Sequence, residues 1–435
     1  AMALSSLDGS NGFRLDGVEE DDFSGASVSN AGDVNGDGFD DVIIGAPARY
    51  GSAASYVVFG KANGFDAAID LSGLDGNNGF RLDGEAAGDR SGFSVSNAGD
   101  VNSDGFDDLI IGAYGADPNG FGSGSSYVVF GKASGFDAAM ALSSLDGSNG
   151  FRLDGVAAFD FSGASVSNAG DVNGDGFDDV IIGARYADRN GEHYGPSYVV
   201  FGEAAPFDAT LDLASLDGNN GFRVGAGDQA SSSVSSAGDV NGDGFDDLIV
   251  GSNRYSDNSS SSHVVFGKVS GFSATLNLSS LDGSNGVRLD VEGSIDSVSG
   301  AGDVNDDGYD DLLIGASHAT PNGNFSGSSY VIFGSRDFGG GQLPVISGTS
   351  SDDVLRGTSA AEIFEAGDGN DILIGRGGAD VFRGGAGVDQ IKVPDLNFAS
   401  IDGGTGTDIL HLDGKDLHLD LASFGDKIQG IETIC

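Results

Sequence analysis

The sequence predicts an all-β protein, a β-propeller of four-stranded blades followed by a short parallel β-roll. The first observation is a long repeat: DVNGDGFDD at Asp33 recurs in near copies at Asp100, Asp171, Asp239 and Asp303, with steps of 67, 71, 68 and 64 residues. The second is a change to a nine-residue period near residue 348. Repeats of these two lengths are typical of propeller blades and of coiled parallel sheets.

Each long period contains four short pieces rich in β-branched residues. In the first period they span residues 25–29, 41–46, 55–60 and 79–84, and Gly, Asp, Asn or Ser bounds each of them. Short β-rich runs between turn-forming residues indicate strands, and four strands per unit indicate a blade. The sequence therefore predicts five blades within residues 1–337.

Ring closure is predicted from a spare fourth strand. The fifth YVVFG-like piece, Tyr330–Gly334, has no GFRLDG piece after it, whereas an extra copy lies at Gly12–Gly17. We expect these two segments to pair, so that the N-terminal strand closes the last blade and removes two exposed sheet edges. Two alternatives are a fragment of a larger ring and a strand donated to the next molecule. Residues 1–18 repeat residues 139–156 identically, so we expect a segment of a longer polypeptide.

The loop between strands one and two of every repeat predicts a metal site. Its pattern, D-x-[ND]-x-D-G-x-D-D, supplies side-chain oxygens at positions 1, 3, 5 and 9 and a backbone carbonyl at position 7. Such a hard, oxygen-rich set favours Ca²⁺ over Mg²⁺, which prefers fewer protein ligands. The alternative is that Asp, Asn and Gly only form turns. The candidate ligands are Asp33, Asn35, Asp37, Phe39 and Asp41; Asp100, Asn102, Asp104, Phe106 and Asp108; Asp171, Asn173, Asp175, Phe177 and Asp179; Asp239, Asn241, Asp243, Phe245 and Asp247; and Asp303, Asn305, Asp307, Tyr309 and Asp311.

The charge balance supports this prediction independently. The chain has 67 Asp+Glu against 20 Lys+Arg, a net charge of −47, and 21 of the acids lie in the five loops. Crowded carboxylates repel one another, and a bound dication removes that repulsion. A chain this acidic is a poor partner for nucleic acid. No apolar run of about 18 residues is present, so the sequence predicts no membrane span.

The long repeats resemble the FG-GAP repeats of the integrin α-subunit propeller. The resemblance rests on the calcium-type loops, on Phe-Ser-Gly at Phe23 and on Gly-Ala-Pro at Gly45. It implies a β-propeller with calcium in the strand one–two hairpins, about five ions in all. The sequence departs from that family in having five repeats rather than seven, in lacking the Phe in its fourth and fifth repeats, and in having the Pro only once.

After a Gly-rich linker, 338–347, nonapeptides place an acid at position six and an apolar residue at position eight. This pattern resembles the RTX nonapeptide, which implies a calcium-bound parallel β-roll over 348–411 and export to a calcium-rich exterior. We expect two to four ions there, and the tail 412–435 to be a cap or the start of a further segment. In the six nonapeptides, position six is occupied in turn by Asp353, Glu362, Asp371, Asp380, Asp389 and Asp408. All of these except Glu362 are candidate ligands.

The sequence predicts a binding or structural protein rather than an enzyme. Its histidines form no HExxH pattern, and no nucleophile elbow is present. Two functions remain: a secreted, bacterial adhesion module for an extracellular polysaccharide or protein, and a self-associating subunit of a sheath, surface layer or filament. The loops joining strands two and three favour a ligand face, since aromatic and guanidinium groups suit such contacts, although they could also simply cover blade ends. The candidates are Arg49, Tyr50, Tyr114, Arg185, Tyr186, Arg254 and Tyr255.

Overall fold

The fold is known from a computed structural model of the whole chain. It describes residues 3–48, 51, 53–133, 135–185, 195–204, 206–225, 230–253, 260–269, 271–336, 338, 345–358, 362–415, 417–419, 424 and 427–435. The all-β prediction is confirmed, because the sheets of the described residues match a propeller followed by a parallel β-strand region.

The propeller part contains five successive sheets, numbered as blades 1 to 5. In each, consecutive strands pair antiparallel, and in blades 1 to 3 a short fifth strand is added in parallel at the outer edge. Blade 1 is β2 (Ser27–Gly32), β3 (Asp41–Ala46), β4 (Ala54–Val58), β6 (Gly79–Asp83) and β10 (Ala139–Ala141). Blade 2 is β7 (Ser94–Gly99), β8 (Asp108–Ala113), β9 (Ser125–Val129), β11 (Gly150–Asp154) and β15 (Thr210–Asp212). Blade 3 is β12 (Ser162–Gly170), β13 (Asp179–Ala184), β14 (Ser197–Val200), β16 (Gly221–Gly225) and β20 (Thr275–Asn277).

The last two blades have fewer strands among the described residues. Blade 4 is β17 (Ala230–Gly238), β18 (Asp247–Asn253), β19 (Ser260–Val265) and β21 (Gly286–Val291). Blade 5 is β22 (Ser297–Gly302), β23 (Asp311–Ala316) and β24 (Ser328–Ile332). Short 3-10 turns lie at Leu4–Ser6, Leu71–Gly73, Leu142–Ser144, Leu213–Ser215 and Leu278–Ser280.

The predicted closure of the last blade by the N-terminal strand is wrong. Strand β1 (Arg14–Asp16) pairs in parallel with β5 (Ala68–Asp70), not with β24. This is the same pairing that joins β10 to β6 in blade 1. The β1–β5 ribbon is held beside blade 1 because Leu15 and Ile69 pack against the cluster around Ile44 and Tyr56.

The hydrophobic cores lie between neighbouring blades rather than within one sheet. Ile43 and Val57 of blade 1, for example, pack with Val95 and Leu109 of blade 2. The same arrangement recurs between blades 2 and 3, 3 and 4, and 4 and 5. Each blade therefore needs a neighbour to bury its apolar faces, as in other repeat proteins.

The C-terminal part is a roll of two parallel sheets around one core, which includes Phe364, Leu373, Phe382 and Ile391. The sheets extend from residue 345 to residue 434, so residues on both sides of 348–411 also contribute strands. The first sheet is β25 (Val345–Ser347), β27 (Ile363–Asp368), β29 (Val381–Gly387), β31 (Ser400–Asp402) and β34 (Ile428–Gln429), with β32 (Thr405–Gly406) beside β29. The second is β26 (Val354–Arg356), β28 (Ile372–Ile374), β30 (Gln390–Val393), β33 (Ile409–Leu412) and β35 (Thr433–Ile434).

Candidate metal sites

Each propeller hairpin folds around its own first aspartate. In the first hairpin the Asp33 carboxylate accepts the N–H groups of Asp37 (2.9 Å) and Gly38 (2.8 Å). The φ of Gly38 is 85°, a left-handed conformation that favours glycine at this position of the motif. The same two contacts recur at Asp100, Asp171 and Asp303, and at Asp239. The loop sequence therefore curls the backbone back over the first carboxylate.

The last aspartate of every hairpin is a fully buried carboxylate. Asp41 accepts the N–H groups of Gly60 (2.8 Å) and Val34 (3.2 Å), which tie it to the third strand and to its own loop. Burial above all, together with the charges of Asp37 and Asp33, raises the pKa of Asp41 to about 7. In the second hairpin burial likewise raises the pKa of Asp108 to about 8. The counterparts Asp179, Asp247 and Asp311 are buried to the same degree.

These residues fit a calcium ion in donor chemistry. Carboxylate and amide oxygens from positions 1, 3, 5 and 9 come from one short loop, and a buried acid surrounded by other acids is stabilised by a nearby cation. The loop side chains also order the turn: Asn102 accepts the Asp104 N–H at 2.9 Å, and Asp104 accepts the Phe106 N–H at 3.1 Å. As it stands, no group of three or more Asp, Glu, His or Cys in the described residues is arranged to hold a metal.

The eighth position of the motif has a different use, which the sequence did not reveal. Asp107 of blade 2 accepts the N–H of Asp33 in blade 1 at 2.7 Å. Asp178, Asp246 and Asp310 accept the equivalent N–H of the preceding blade at 2.8, 2.9 and 3.0 Å. The paired aspartates are thus divided between two tasks: the second points into its own hairpin, and the first joins neighbouring blades.

The roll packs against the third and fourth hairpins. Phe245, the seventh residue of the fourth hairpin, packs with Ile363 and Val381 of the roll. Lys427 donates to the Gly174 carbonyl at 2.8 Å, and Arg383 donates to the Gly242 carbonyl at 3.3 Å. Both carbonyls belong to position four of a hairpin.

The fourth and fifth hairpins differ in the pKa of their first aspartate. Burial raises the pKa of Asp239 in the fourth hairpin, although three backbone N–H groups lower it. Asp303, its counterpart in the fifth hairpin, is exposed, and the N–H of Gly308 holds its pKa below the usual value. The fourth and fifth motifs therefore present different environments to a cation.

The roll places its position-six acids in a ladder at the start of each strand of the second sheet. Asp371 accepts the Asp353 N–H (2.7 Å), Asp389 accepts the Asp371 N–H (2.8 Å), and Asp408 accepts the Asp389 N–H (2.8 Å). Glu432 extends the ladder by accepting the Asp408 N–H at 2.6 Å. The sequence did not reveal Glu432, because no nonapeptide surrounds it. Its only signal is the pair of β-branched residues, Thr433 and Ile434, that follows it in β35.

Three of the ladder carboxylates each have one oxygen without a hydrogen-bond partner among the described residues. The Oδ2 atoms of Asp371, Asp389 and Asp408 are buried and unpaired among the described residues, and all three side chains are fully buried. Buried oxygens without a partner are costly, and a hard cation between the coils would satisfy them. At the start of the first sheet the ladder is shorter: Asp380 accepts the Glu362 N–H at 3.0 Å, and Ala399 replaces the acid in the next coil.

Two residues of the predicted ligand face lie together. Tyr114 and Arg185 line a cavity of about 160 Å³ with Phe93, Phe161 and Ala164. Tyr114 packs edge-on against Phe93, with ring centroids 4.6 Å apart. The other predicted members, Arg49, Tyr50, Tyr186, Arg254 and Tyr255, lie outside the described residues.

Comparisons with known families match both kinds of repeat. The FG-GAP repeat model matches residues 24–58, 91–129, 162–200, 231–265 and 296–332, and the RTX calcium-binding nonapeptide repeat matches 356–391. The predicted resemblances are confirmed, and the repeats indicate calcium binding. Both families are binding or structural modules rather than enzyme families. Among the described residues no helix is long and apolar enough to cross a membrane.

Curated relatives are integrin α subunits. Integrin alpha-4 of Xenopus laevis is 31% identical over 181 residues, 40% of this chain and 16% of the relative. Integrin alpha-PS5 of Drosophila melanogaster is 32% identical over 174 residues, 39% of this chain and 15% of the relative. Integrin alpha-V of Gallus gallus is 27% identical over 238 residues, 53% and 20% of the two chains. The chain thus matches a fifth or less of the length of these relatives.

Proposed function

Since this chain carries five FG-GAP repeats and an RTX nonapeptide segment, we propose that it is a secreted, extracellular calcium-binding module that attaches to a ligand. One site per hairpin gives five ions in the propeller, held by positions 1, 3, 5, 7 and 9 of each motif. The roll ladder, Asp353–Asp371–Asp389–Asp408, holds further ions between its coils. Calcium supplies positive charge that cancels repulsion within each row of acids.

The observation that carries calcium binding is the row of unpaired, fully buried Oδ2 atoms in the ladder. Calcium titration by calorimetry on chelator-treated protein tests it, because the ion count follows from the stoichiometry. We expect saturation at more than five ions, since the ladder adds to the hairpins. Saturation at five or fewer ions would contradict a ladder role.

The proposed ligand surface is the strand two–three end of the blades, where Tyr114 and Arg185 line one cavity. A planar guanidinium beside aromatic rings suits the carboxylates and ring faces of acidic polysaccharides, or a protein partner. Retention on immobilised polyuronate, compared between the parent and a Tyr114→Ala, Arg185→Ala double variant, tests this surface. We expect lost retention with unchanged calcium binding. Arg356→Ala, at an exposed site on the roll, is the matched control.

A second candidate is a structural subunit that self-associates in a calcium-dependent way. The observation that favours it is β24, whose outer edge has no fourth strand among the described residues. Unpaired strand edges are templates for association.

A further inference from the structure

In three of the blades the arginine of the fourth strand is paired with an acid of the chain. Arg81 in blade 1 pairs with Asp83 at 2.7 Å, and blade 4 has the same pair. Arg152 in blade 2 has two partners, Asp154 at 2.8 Å and Glu85 at 3.2 Å. Glu85 belongs to the segment that follows the fourth strand of blade 1, so this second ion pair joins neighbouring blades.

Blade 3 has the arginine but neither of these acids. Arg223 on β16 lies opposite Tyr198 on β14, just as its counterparts in blades 1 and 2 lie opposite a tyrosine. Gly225 stands two residues after the arginine, where blades 1, 2 and 4 have Asp. Val156, in the segment after the fourth strand of blade 2, stands at the position equivalent to Glu85. The tyrosine–arginine pair of blade 3 therefore lacks both acids that accompany it in blade 2.

A cavity of about 310 Å³ lies beside this pair. Val156, Leu213 and Leu216 contribute to its apolar wall, and Tyr198 and Arg223 contribute polar groups. Sites for small organic ligands begin at about this volume and share this composition, since most are apolar with a few convergent polar groups. The cavity therefore has the size and the lining of a small-molecule site.

The polar groups of the cavity include hydrogen-bond donors. The Arg223 guanidinium has five N–H groups, and it donates to the Tyr198 hydroxyl oxygen. Burial above all holds the pKa of Tyr198 above its ordinary value, so this hydroxyl keeps its proton. Arg223 is exposed, so a ligand can reach the guanidinium from solvent. A planar guanidinium can donate two parallel hydrogen bonds to a carboxylate, which makes a carboxylate the matching ligand group.

Two acids lie near enough to Tyr198 to raise its pKa, Asp160 and Asp212. Asp160 is buried and accepts the Ala157 N–H at 2.8 Å, and Asp212 accepts the Ala214 N–H at 2.8 Å. Both carboxylates therefore stabilise backbone turns. Among the described residues that line the cavity, the arginine has the only positive charge, so it is the group that recognises a ligand anion.

We propose that this cavity binds a small organic acid, whose carboxylate pairs with Arg223 in place of the missing acids and whose apolar body lies against Leu213 and Leu216. The net charge of −47 repels anions from the protein as a whole, so such a ligand needs the local cation that Arg223 provides. The cavity shares no described lining residue with the one at Tyr114 and Arg185, and the inference does not depend on that ligand surface.

The test is a titration of the 435-residue chain with para-fluorobenzoate, in calcium and physiological salt, followed by fluorine NMR. The neutral analogue para-fluorobenzamide has the same ring without the charge. We expect the acid to bind at least about tenfold more tightly than the amide, as when a hydrogen bond to a charged group is gained. Equal affinities would show that the cavity accepts an apolar ring without recognising a carboxylate, which would contradict the proposal.

The sharpest variant is Gly225→Asp, which restores the ion pair of the other blades and so competes with the ligand. Apart from its chain neighbours, a Cβ added at Gly225 comes no nearer than 4.0 Å to another group, the Leu276 carbonyl oxygen, so the position has room for a side chain. We expect the affinity for para-fluorobenzoate to fall at least about tenfold. Gly225→Asn is the matched control, since it adds the same bulk without the charge and should lose much less affinity. Arg223→Gln removes the cation at an exposed position and should lose as much as Gly225→Asp.

Three further results would overturn the proposal. A parent that does not bind para-fluorobenzoate at millimolar concentration shows that the cavity is not a site for such an acid. A Gly225→Asp variant with the affinity of the parent shows that the acid binds away from Arg223. Loss of binding in the Tyr114→Ala, Arg185→Ala double variant shows that the acid occupies the other cavity. Retention of Gly225→Asp on polyuronate tests that other surface separately, so the two proposals can fail independently.

Discussion

The propeller hairpins and the roll ladder both gather acids, but they do so over different lengths of chain. A hairpin draws its carboxylates from nine consecutive residues and anchors the last one in a blade whose apolar residues are packed against the neighbouring blade. A ladder draws each carboxylate from a different coil, so Asp389 touches the backbone of Asp371, 18 residues earlier. The comparison teaches that a hairpin can keep its shape without a cation, whereas the ladder depends on every adjacent coil.

The largest expected effect is therefore that of chelation. Without calcium, the repulsion within the ladder is uncompensated and the thin core of the roll does not offset it, so strands β25–β35 should lose protection from hydrogen exchange. Blades 1 to 4 should retain most of theirs. Hydrogen exchange with and without EDTA, read by mass spectrometry, measures both. Equal protection of the two regions under EDTA would contradict the comparison.

The second prediction removes a single ladder charge. In Asp389→Asn the amide oxygen can still accept the Asp371 N–H, so the change tests charge alone. With calcium, we expect a loss of unfolding free energy on the order of 3 kcal/mol, as when one partner of a buried ion pair is removed. In EDTA, the variant should equal or exceed the parent, since one repelling charge is gone.

Thermal unfolding of the parent and the variant, in calcium and in EDTA, measures this reversal in the sign of the stability difference. Asp413→Asn is the matched control, because Asp413 is an exposed acid of the roll that lies outside the ladder. A loss of stability in EDTA as large as that in calcium would show that Asp389 has a purely structural role.

A third prediction concerns the stability of the propeller at low pH, which depends on one buried histidine. Burial above all, together with the charge of Arg288, lowers the pKa of His263 from 6.5 to about 4. The unfolded chain thus binds the proton more tightly, so stability is lost as pH falls from 6.5 towards 4. The difference reaches roughly 3 kcal/mol at the lower limit.

The counterpart residue is tyrosine in blades 1, 2, 3 and 5, so His263→Tyr should abolish this contribution. The difference in unfolding free energy between parent and variant, measured from pH 7 to pH 4, isolates it from the carboxylates. A difference that does not vary with pH would contradict the prediction.

The smallest effect is expected where the two regions meet. Removing both donors in Arg383→Ala, Lys427→Ala eliminates two hydrogen bonds to hairpin carbonyls, at about 1 kcal/mol each. Hydrogen exchange should rise in residues 171–179 and 239–247 but not in 303–311. Arg356→Ala, on the opposite sheet, is the control. Equal rises in all three hairpins would show a global loss of stability instead.

Much of this architecture could be predicted because its signals are local. The nine-residue motif determines the hairpin, and Gly38 and its counterparts provide the left-handed turn within it. The position-six acids of the ladder follow from the nonapeptide period. The hairpin motif and the nonapeptide each recur several times, so each copy strengthens the prediction made from the others.

What escaped prediction involves partners distant in sequence. Strand β5 has only three residues, and its pairing with β1 joins residues 54 positions apart in the sequence, so the closure predicted from strand counts was wrong. Glu432 joins the ladder through coil stacking, without a motif. The contact of Phe245 with the roll depends on side-chain packing between two repeat systems, for which neither period contains a signal.

Phe245 has a consequence of its own, because it is a member of both regions. Its carbonyl is a candidate ligand of the fourth hairpin, and its ring packs among side chains of the roll. Thermodynamic linkage is reciprocal. If packing of the roll against this hairpin changes its affinity for an ion by some factor, then ion binding changes the equilibrium for packing of the roll by the same factor. Through this one phenylalanine, ion binding in the propeller repeats is coupled to the packing of the nonapeptide repeats.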